Sequence, residues 1–312
     1  MSLKTLPGRN TRPNGRNWPL IIAALIISGG SAKTTTVTIL ATILALRGWK
    51  VRVFDFDQQR NASHIFCAKH LDDKQFPTVW DLMLDQASLE EASVPGRIRT
   101  GEGWEDHFLA AEGEEVDSAF TEIPNLKIVR GSRHVKGFDT EAAVGTGMLM
   151  SWFQNLCRTY DGDDDVWLLD LPASLSKLTV SALLPLTEDD EVIPPVLVTN
   201  KEEEDLSYTF EELKEMVEQM TTRTQRPAPT IKRILMCATP TSQHSGVEFD
   251  DTVAAIEKQY GGSYELHKVR WSKIVPRQHR LQQTVPAFAG SSYPMEDYSK
   301  LATALGFNDL ID

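Results

Sequence analysis

Residues 20–36 read LIIAALIISGGSAKTTT, and residues 37–63 continue VTILATILALRGWKVRVFDFDQQRNAS. The apolar run Leu20–Ile27 has no polar alternation, as expected of a strand buried on both faces. A glycine pair, a lysine and three threonines follow, then a helix-like ILATILALRG, a second strand VRVFDF and the acidic loop DFDQQRN. Strand, phosphate-binding loop, helix, strand and acidic loop make the opening βαβ unit of a nucleotide-hydrolysing domain.

The residue types suit phosphate chemistry. Gly29 and Gly30 let backbone N–H groups turn toward phosphate oxygens, with Ser31 and Ala32 completing the loop. Lys33 supplies a mobile positive charge for the β- and γ-phosphates, Thr34 a hydroxyl for Mg²⁺, and Thr35 reaches toward the α-phosphate. A glycine pair alone is weak evidence, because Ile27 and Ala32 stand where GxxxxGK[ST] requires glycine. The context decides: Asp55 and Asp57 lie about twenty residues on, at the end of the next strand. Farther along, the apolar VWLLD ends in Asp170, placed to hold a metal-bound water. In this reading Asp57 orients the attacking water while Asp55 supports the metal shell.

These segments resemble a family. SGGSAKTT is similar to the deviant Walker A box KGGxGKTT, and DFDQQRNAS resembles the DxDPQxNAS of ParA-type partition ATPases in the ParA/MinD group. VWLLDLPASLSKLTVSALLPLTEDDEVIPPVLVT resembles their Walker B and switch region, and VRWSKIVPRQHRLQQTVPAFAGSSYPMEDYSKLATAL their ending, so the resemblance runs over residues 18–308. It implies a doubly wound, mostly parallel P-loop α/β fold, ATP and Mg²⁺ as ligands, and an adenine site about Thr239, Pro240, Pro276 and Arg277. It also implies an ATP-bound homodimer that binds DNA without sequence preference, and a ParB-like or McdB-like adaptor that stimulates hydrolysis.

The departures matter. The family's signature lysine falls at Ser28, which resembles the variant of the McdA branch that distributes carboxysomes, so the cargo need not be a plasmid. Ala32 replaces a loop glycine and Gln58 the family proline, which raises weak hydrolysis as an alternative; the loop still forms readily if φ at Ala32 is negative. Two ATP molecules facing each other need further cationic compensation, and Lys177 and Lys201 qualify by their positions after strands.

Composition agrees. A chain of 312 residues with 41% apolar content can bury a large core, and motifs spread along its length favour one domain over residues 18–312. Met1–Asn17, rich in Gly, Asn, Arg and Pro, reads as disordered. Cys67, Cys157 and Cys237 form no CxxC, which argues against disulfides, zinc and iron–sulfur clusters and points to a reducing cytoplasm. Basic residues precede the apolar Trp18–Ile27, but cleavage after it as a signal peptide would destroy the phosphate loop. No run approaches the roughly 20 apolar residues that cross a bilayer, so no membrane partner is expected. The net charge of −12 opposes DNA binding overall, yet Lys268, Arg270, Lys273, Arg277 and Arg280 crowd near the C-terminus.

The rest alternates strand and helix. Helices are expected at Thr78–Leu84, Ala142–Tyr160, Phe210–Met220, Phe249–Tyr260 and Met295–Leu305. Strands are expected at Leu126–Val129, Val166–Leu169, Val196–Thr199, Ile234–Ala238 and Leu266–Val269, with Val94–Asp117 a loop or insertion. Such alternation gives parallel strands with ligands at their carboxyl ends. Two other readings stand beside the switch: a metabolic ligase of the same fold, similar to dethiobiotin synthetase, and a nucleotide-locked scaffold or DNA-binding co-regulator that does not hydrolyse.

Overall fold

The computed structural model describes residues 16–30, 32–100, 120–144, 149–198, 203–224, 229–241 and 247–310. Ser31, Lys201 and most of the expected 94–117 loop lie outside them. Five parallel strands carry the site: β1 (Leu20–Ala24), β2 (Val51–Asp55), β4 (Phe120–Val129), β5 (Val166–Asp170) and β6 (Glu191–Ile193). With β3 (Ser93–Arg99) on the edge their order is β3-β4-β2-β5-β1-β6. A second ladder, β7 (Pro195–Leu197), β8 (Arg233–Thr239) and β9 (Glu265–Arg270), is also parallel.

β6 and β7 are one extended segment interrupted at Pro194. The segment bonds β1 before the break and β8 after it. Pro194 and Pro195 have no N–H to give either ladder, which ends one register and begins the next. The Leu25 amide still donates to Ile193 O and the Leu235 amide to Pro194 O, so the chain joins both ladders.

Alternation along the buried strands sends side chains to two cores. Ile22, Val53, Ile128 and Leu168 pack with α1 (Lys33–Leu46) and α11 (Tyr293–Ala304). Ile21, Phe54, Trp167 and Leu169 pack with α3 (Val79–Met83), α5 (Trp152–Thr159), α6 (Lys177–Leu183) and α7 (Glu203–Thr224). Helices on both faces make the sheet doubly wound. Beyond these, α2 (Asn61–Ile65), α4 (Phe138–Val144), α8 (Val247–Tyr260), α9 (Arg277–Leu281) and α10 (Val285–Phe288) complete the described helices.

Three expectations are corrected. Ser93–Arg99 is a strand, antiparallel to β4, with a bulge between Pro95 and Arg97; an edge position tolerates a proline that a central strand would reject. The expected Ala142–Tyr160 helix is instead α4, a separate single turn at Leu149–Ser151, and α5. Arg16, within the segment read as disordered, is fixed: its guanidinium makes a bidentate pair with buried Asp190, at 2.7 Å to each carboxylate oxygen.

Arg52, 1% exposed in the middle of β2, donates to Asp164 at 2.6 Å, Glu90 at 2.6 Å and Ser93 Oγ at 2.5 Å. Trp167 Nε1 also donates to Asp164, at 2.8 Å. Arg52→Ala strands the Asp164 carboxylate in the core. It should cost about 3–5 kcal/mol, read as a lower urea midpoint with unchanged slope.

Candidate nucleotide site

Because β1, β5 and β2 are parallel neighbours, their carboxyl ends meet at one edge, with Ala24 paired to Asp170 and Asp170 to Asp55 in register. The loop after β1 therefore faces both acids. Thr34, in the first turn of α1, donates from Oγ1 to Asp170 Oδ2 at 2.8 Å. Lys33, 7% exposed, folds over the loop and donates to Ser28 O at 2.9 Å and Ile26 O at 3.3 Å. Burial lowers its pKa, against the opposing pull of Asp170 and Asp57.

Asp55 and Asp170 are 0% and 1% exposed. Asp55 Oδ2 accepts from the Ser63 amide at 2.8 Å and Ser63 Oγ at 2.6 Å. Burial nonetheless pushes its pKa up to about 6. Asp170 is raised well above the carboxylate range, first by burial and then by the Asp55 charge. Asp57 is half-buried on the loop after β2, and its Oδ1 accepts from the Gln59 amide at 2.8 Å. Two buried acids in register, with the Asp55 charge raising Asp170, suit a divalent cation with Thr34 as a third oxygen ligand. The space a Cβ would occupy at Gly29 or Gly30 is open to 4 Å, which leaves room for phosphates over the loop.

Ala32 meets the loop in an unexpected way. Its φ is 67° and ψ 18°, so it adopts the left-handed conformation that glycine would accept without strain, and its carbonyl still accepts from the Thr36 amide at 2.9 Å. The loop forms with φ positive, not negative.

Residues not singled out from the sequence support the acids. Ser63 Oγ, besides holding Asp55, accepts from the Gly131 amide at 2.8 Å. A Cβ at Gly131 would lie 2.9 Å from Asp55 Cγ, so only glycine fits there. Ser63 was within reach, being the last residue of the quoted DFDQQRNAS; Gly131 carried no signal. Gln278, 3% exposed on α9, donates to Thr35 Oγ1 at 3.2 Å and brings the C-terminal region onto the first turn of α1.

Other expected residues are dispersed. Thr239 and Pro240 line a cleft of about 520 Å³ with Val253, Leu266, Lys268 and Arg270, whereas Pro276 caps α9 and does not border that cleft. Arg277 is exposed. Lys177 opens α6, its Nζ 3.2 Å from Asp139 O. Arg270 clamps β9 to α11 through Asp297 at 2.7 and 2.9 Å and Glu296 at 2.6 Å, and lies over Tyr293. Lys268 pairs with Glu257 at 2.6 Å. Lys273, Arg277 and Arg280 are exposed.

Two measurements probe this geometry. Left-handed alanine costs roughly 1–2 kcal/mol, partly offset by the entropy that glycine adds to the unfolded chain. Ala32→Gly should therefore raise the melting temperature by about 1–3 °C. For Asp55, a folded pKa raised from 3.8 to about 6 favours the protonated form. The Asp55 contribution to metal-free stability should then be fully present below about pH 4 and be lost as pH climbs through 6. Asp55→Asn should remove that loss in urea titrations across the same range.

Known proteins fit the arrangement. A Rhizobium rhizogenes protein provisionally named replication protein A is 28% identical over 174 residues, a match spanning 54% of this chain and 38% of that protein. The fold resembles an ATP complex of Cyanothece McdA carrying an aspartate-to-alanine substitution, at TM-score 0.68 and 13% identity, over 96% of this chain and 100% of that one. It resembles a provisionally named plasmid partition protein from Borrelia burgdorferi bound to AMPPNP, at TM-score 0.66 and 15% identity, over 92% and 98%. Cobyrinic acid a,c-diamide synthase from Mycobacterium smegmatis, with ADP and magnesium, matches at TM-score 0.64 and 18% identity, over 92% and 94%. The family model for the CobQ/CobB/MinD/ParA nucleotide binding domain matches residues 22–285, and this chain belongs to that family.

Proposed function

We propose that the chain is an ATP-dependent dimerising switch that hydrolyses ATP, binds DNA without sequence preference and positions a cargo through an adaptor. The observation that carries this reading is the Thr34–Asp170 hydrogen bond at 2.8 Å beside a second buried acid, Asp55, under a loop with open space above its glycines. ATP and Mg²⁺ are the ligands this arrangement suits. When bound, the metal supplies positive charge to the phosphate oxygens.

The chain's own groups divide the work. Amides of Gly29–Lys33 and the Lys33 ammonium hold the β- and γ-phosphates, which requires Lys33 to leave the carbonyls it now contacts. Thr34, Asp55 and Asp170 hold the metal shell. Asp57, close enough to Lys33 to oppose the lowering of its pKa, orients the water. Ser28 offers no cation to a partner's phosphates, and Lys177 or Lys201 is our candidate for that role. Among the described residues no helix is long and apolar enough to cross a membrane. Three free cysteines support a reducing cytoplasm, with the switch on the nucleoid.

A second reading is a scaffold that binds ATP and hydrolyses it weakly, favoured by the strained Ala32 and the missing lysine. Phosphate release separates the two. Asp57→Ala should retain a fluorescent ATP analogue while hydrolysis falls about 10²–10⁴-fold, and Lys33→Ala should lose the analogue altogether. Wild-type hydrolysis no faster than Asp57→Ala would favour the scaffold, and undiminished binding by Lys33→Ala would end the phosphate-loop reading.

A further inference from the structure

Three basic side chains meet at the carboxyl ends of β2 and β4, on the flank of the acids away from the phosphate loop. Arg60 ends the loop that carries Asp57, with φ 57°. Its stem runs beside the acid: a Cβ at Gly131 would lie 3.1 Å from Arg60 Cγ and 3.0 Å from Asp55 Oδ2. Arg60 Nε is buried with no hydrogen-bond partner among the described residues. Lys69, in the turn four residues after α2, places its Nζ 3.0 Å from Gln59 O. Burial lowers the Lys69 pKa, and the charges of Arg60 and Arg133 lower it further, against Asp55. Arg133, just past β4, is exposed. The nearby Asp73 is already paired with Arg130 at 3.0 Å. Clustered like charges of this kind are stabilised by an anion.

The cluster continues onto α9. The His64 and His279 rings stack at 4.2 Å, and His64 Nε2 lies 2.9 Å from His279 O, so α2 and α9 form one support. Arg277 and Arg280 project from α9. β4 lies three strand spacings from β1, roughly 14 Å, which puts Arg133 beyond a nucleotide held by the phosphate loop. A single phosphate would engage Arg60 and Lys69 but leave α9 untouched. A run of phosphates matches the whole stripe.

We propose that Arg60, Lys69 and Arg133, continued by Arg277 and Arg280, form a surface that takes the phosphodiester backbone of duplex DNA. This rests on the DNA-binding part of the proposed function and adds to it a contact from the first half of the chain. Arg60 follows Asp57 by three residues, so a phosphate held there steadies the loop that positions the water, and DNA stimulates hydrolysis.

The test uses the full chain with ATP and Mg²⁺, a random-sequence duplex, and fluorescence anisotropy at about 50 to 200 mM salt. Combining Arg60→Ala, Lys69→Ala and Arg133→Ala should lower the log–log salt slope by roughly 2–3 and abolish DNA stimulation of phosphate release. Binding of a fluorescent ATP analogue should stay within about twofold, as expected if the phosphate loop is intact. Arg60→Lys, which keeps the charge, should retain most of the slope; behaviour like Arg60→Ala would make the residue structural and overturn its role. If the triple variant binds DNA as the wild type does, while Lys273→Ala, Arg277→Ala and Arg280→Ala together abolish binding, the contact by Arg60, Lys69 and Arg133 is wrong and the DNA reading stands on the C-terminal cations alone. If the wild type retains no DNA at the lowest salt, both fail. Retention on vesicles containing phosphatidylserine without retention on DNA would assign the surface to a membrane and overturn it.

Discussion

Two carboxylates buried at the ends of adjacent parallel strands govern the rest of the structure. Asp55 and Asp170 are register partners, so parallel pairing of β2 with β5 brings them together whatever the loops do. Ser63 and Thr34 answer part of their charge, through hydrogen bonds of 2.6 to 2.8 Å. That leaves repulsion which hydrogen bonds do not cancel, and which a cation cancels efficiently in a dry site. The sheet order places the remaining cationic element correctly, because β1 lies on the other side of β5 and delivers Lys33 to the same edge. Sheet topology here acts as an electrostatic device, and the nucleotide site is its consequence.

The loop above the acids shows what the fold tolerates to keep that device. A left-handed alanine at Ala32 is strained, yet the turn is fixed at both ends, by the strand pairing of β1 and by the first hydrogen bond of α1. The methyl also packs against the core on the α1 face, which returns part of the cost as burial. Glycine would relieve the backbone and lose that contact. The energetic difference between the two residues is therefore small compared with the charge interactions beneath them.

Legibility followed burial. β1 and β5 were readable because a strand covered on both faces is continuously apolar, and β2, broken by Arg52, was readable from Asp55 and Asp57 at its end. α8 and α11 were readable from helical periodicity bounded by turns. β3 was not, since Pro95 and Gly96 read as a loop and only its pairing with β4 makes it a strand. Arg270 shows a related limit. In the sequence it is one of several cations near the C-terminus, but Asp297, which neutralises it, lies 27 residues away and arrives only when α11 packs on β9. Sequence reports that a charge exists and is silent about its partner. Arg16 shows the same limit, with Asp190 174 residues distant.

The same long-range pairing explains why the C-terminal region belongs to the site at all. Gln278 reaches Thr35 on α1, His279 stacks on His64 of α2, and Gln282 accepts from Arg99 of β3 at 2.8 Å. Three contacts thus fasten α9 and its following turn to the phosphate-loop helix, to α2 and to the sheet edge. A nucleotide that moves Thr35 and a phosphate that moves Arg60 act on one connected support, with α9 between them. Coupling between those two places needs no distant relay, because His64 and Ser63 are neighbours in α2 and Ser63 already holds Asp55.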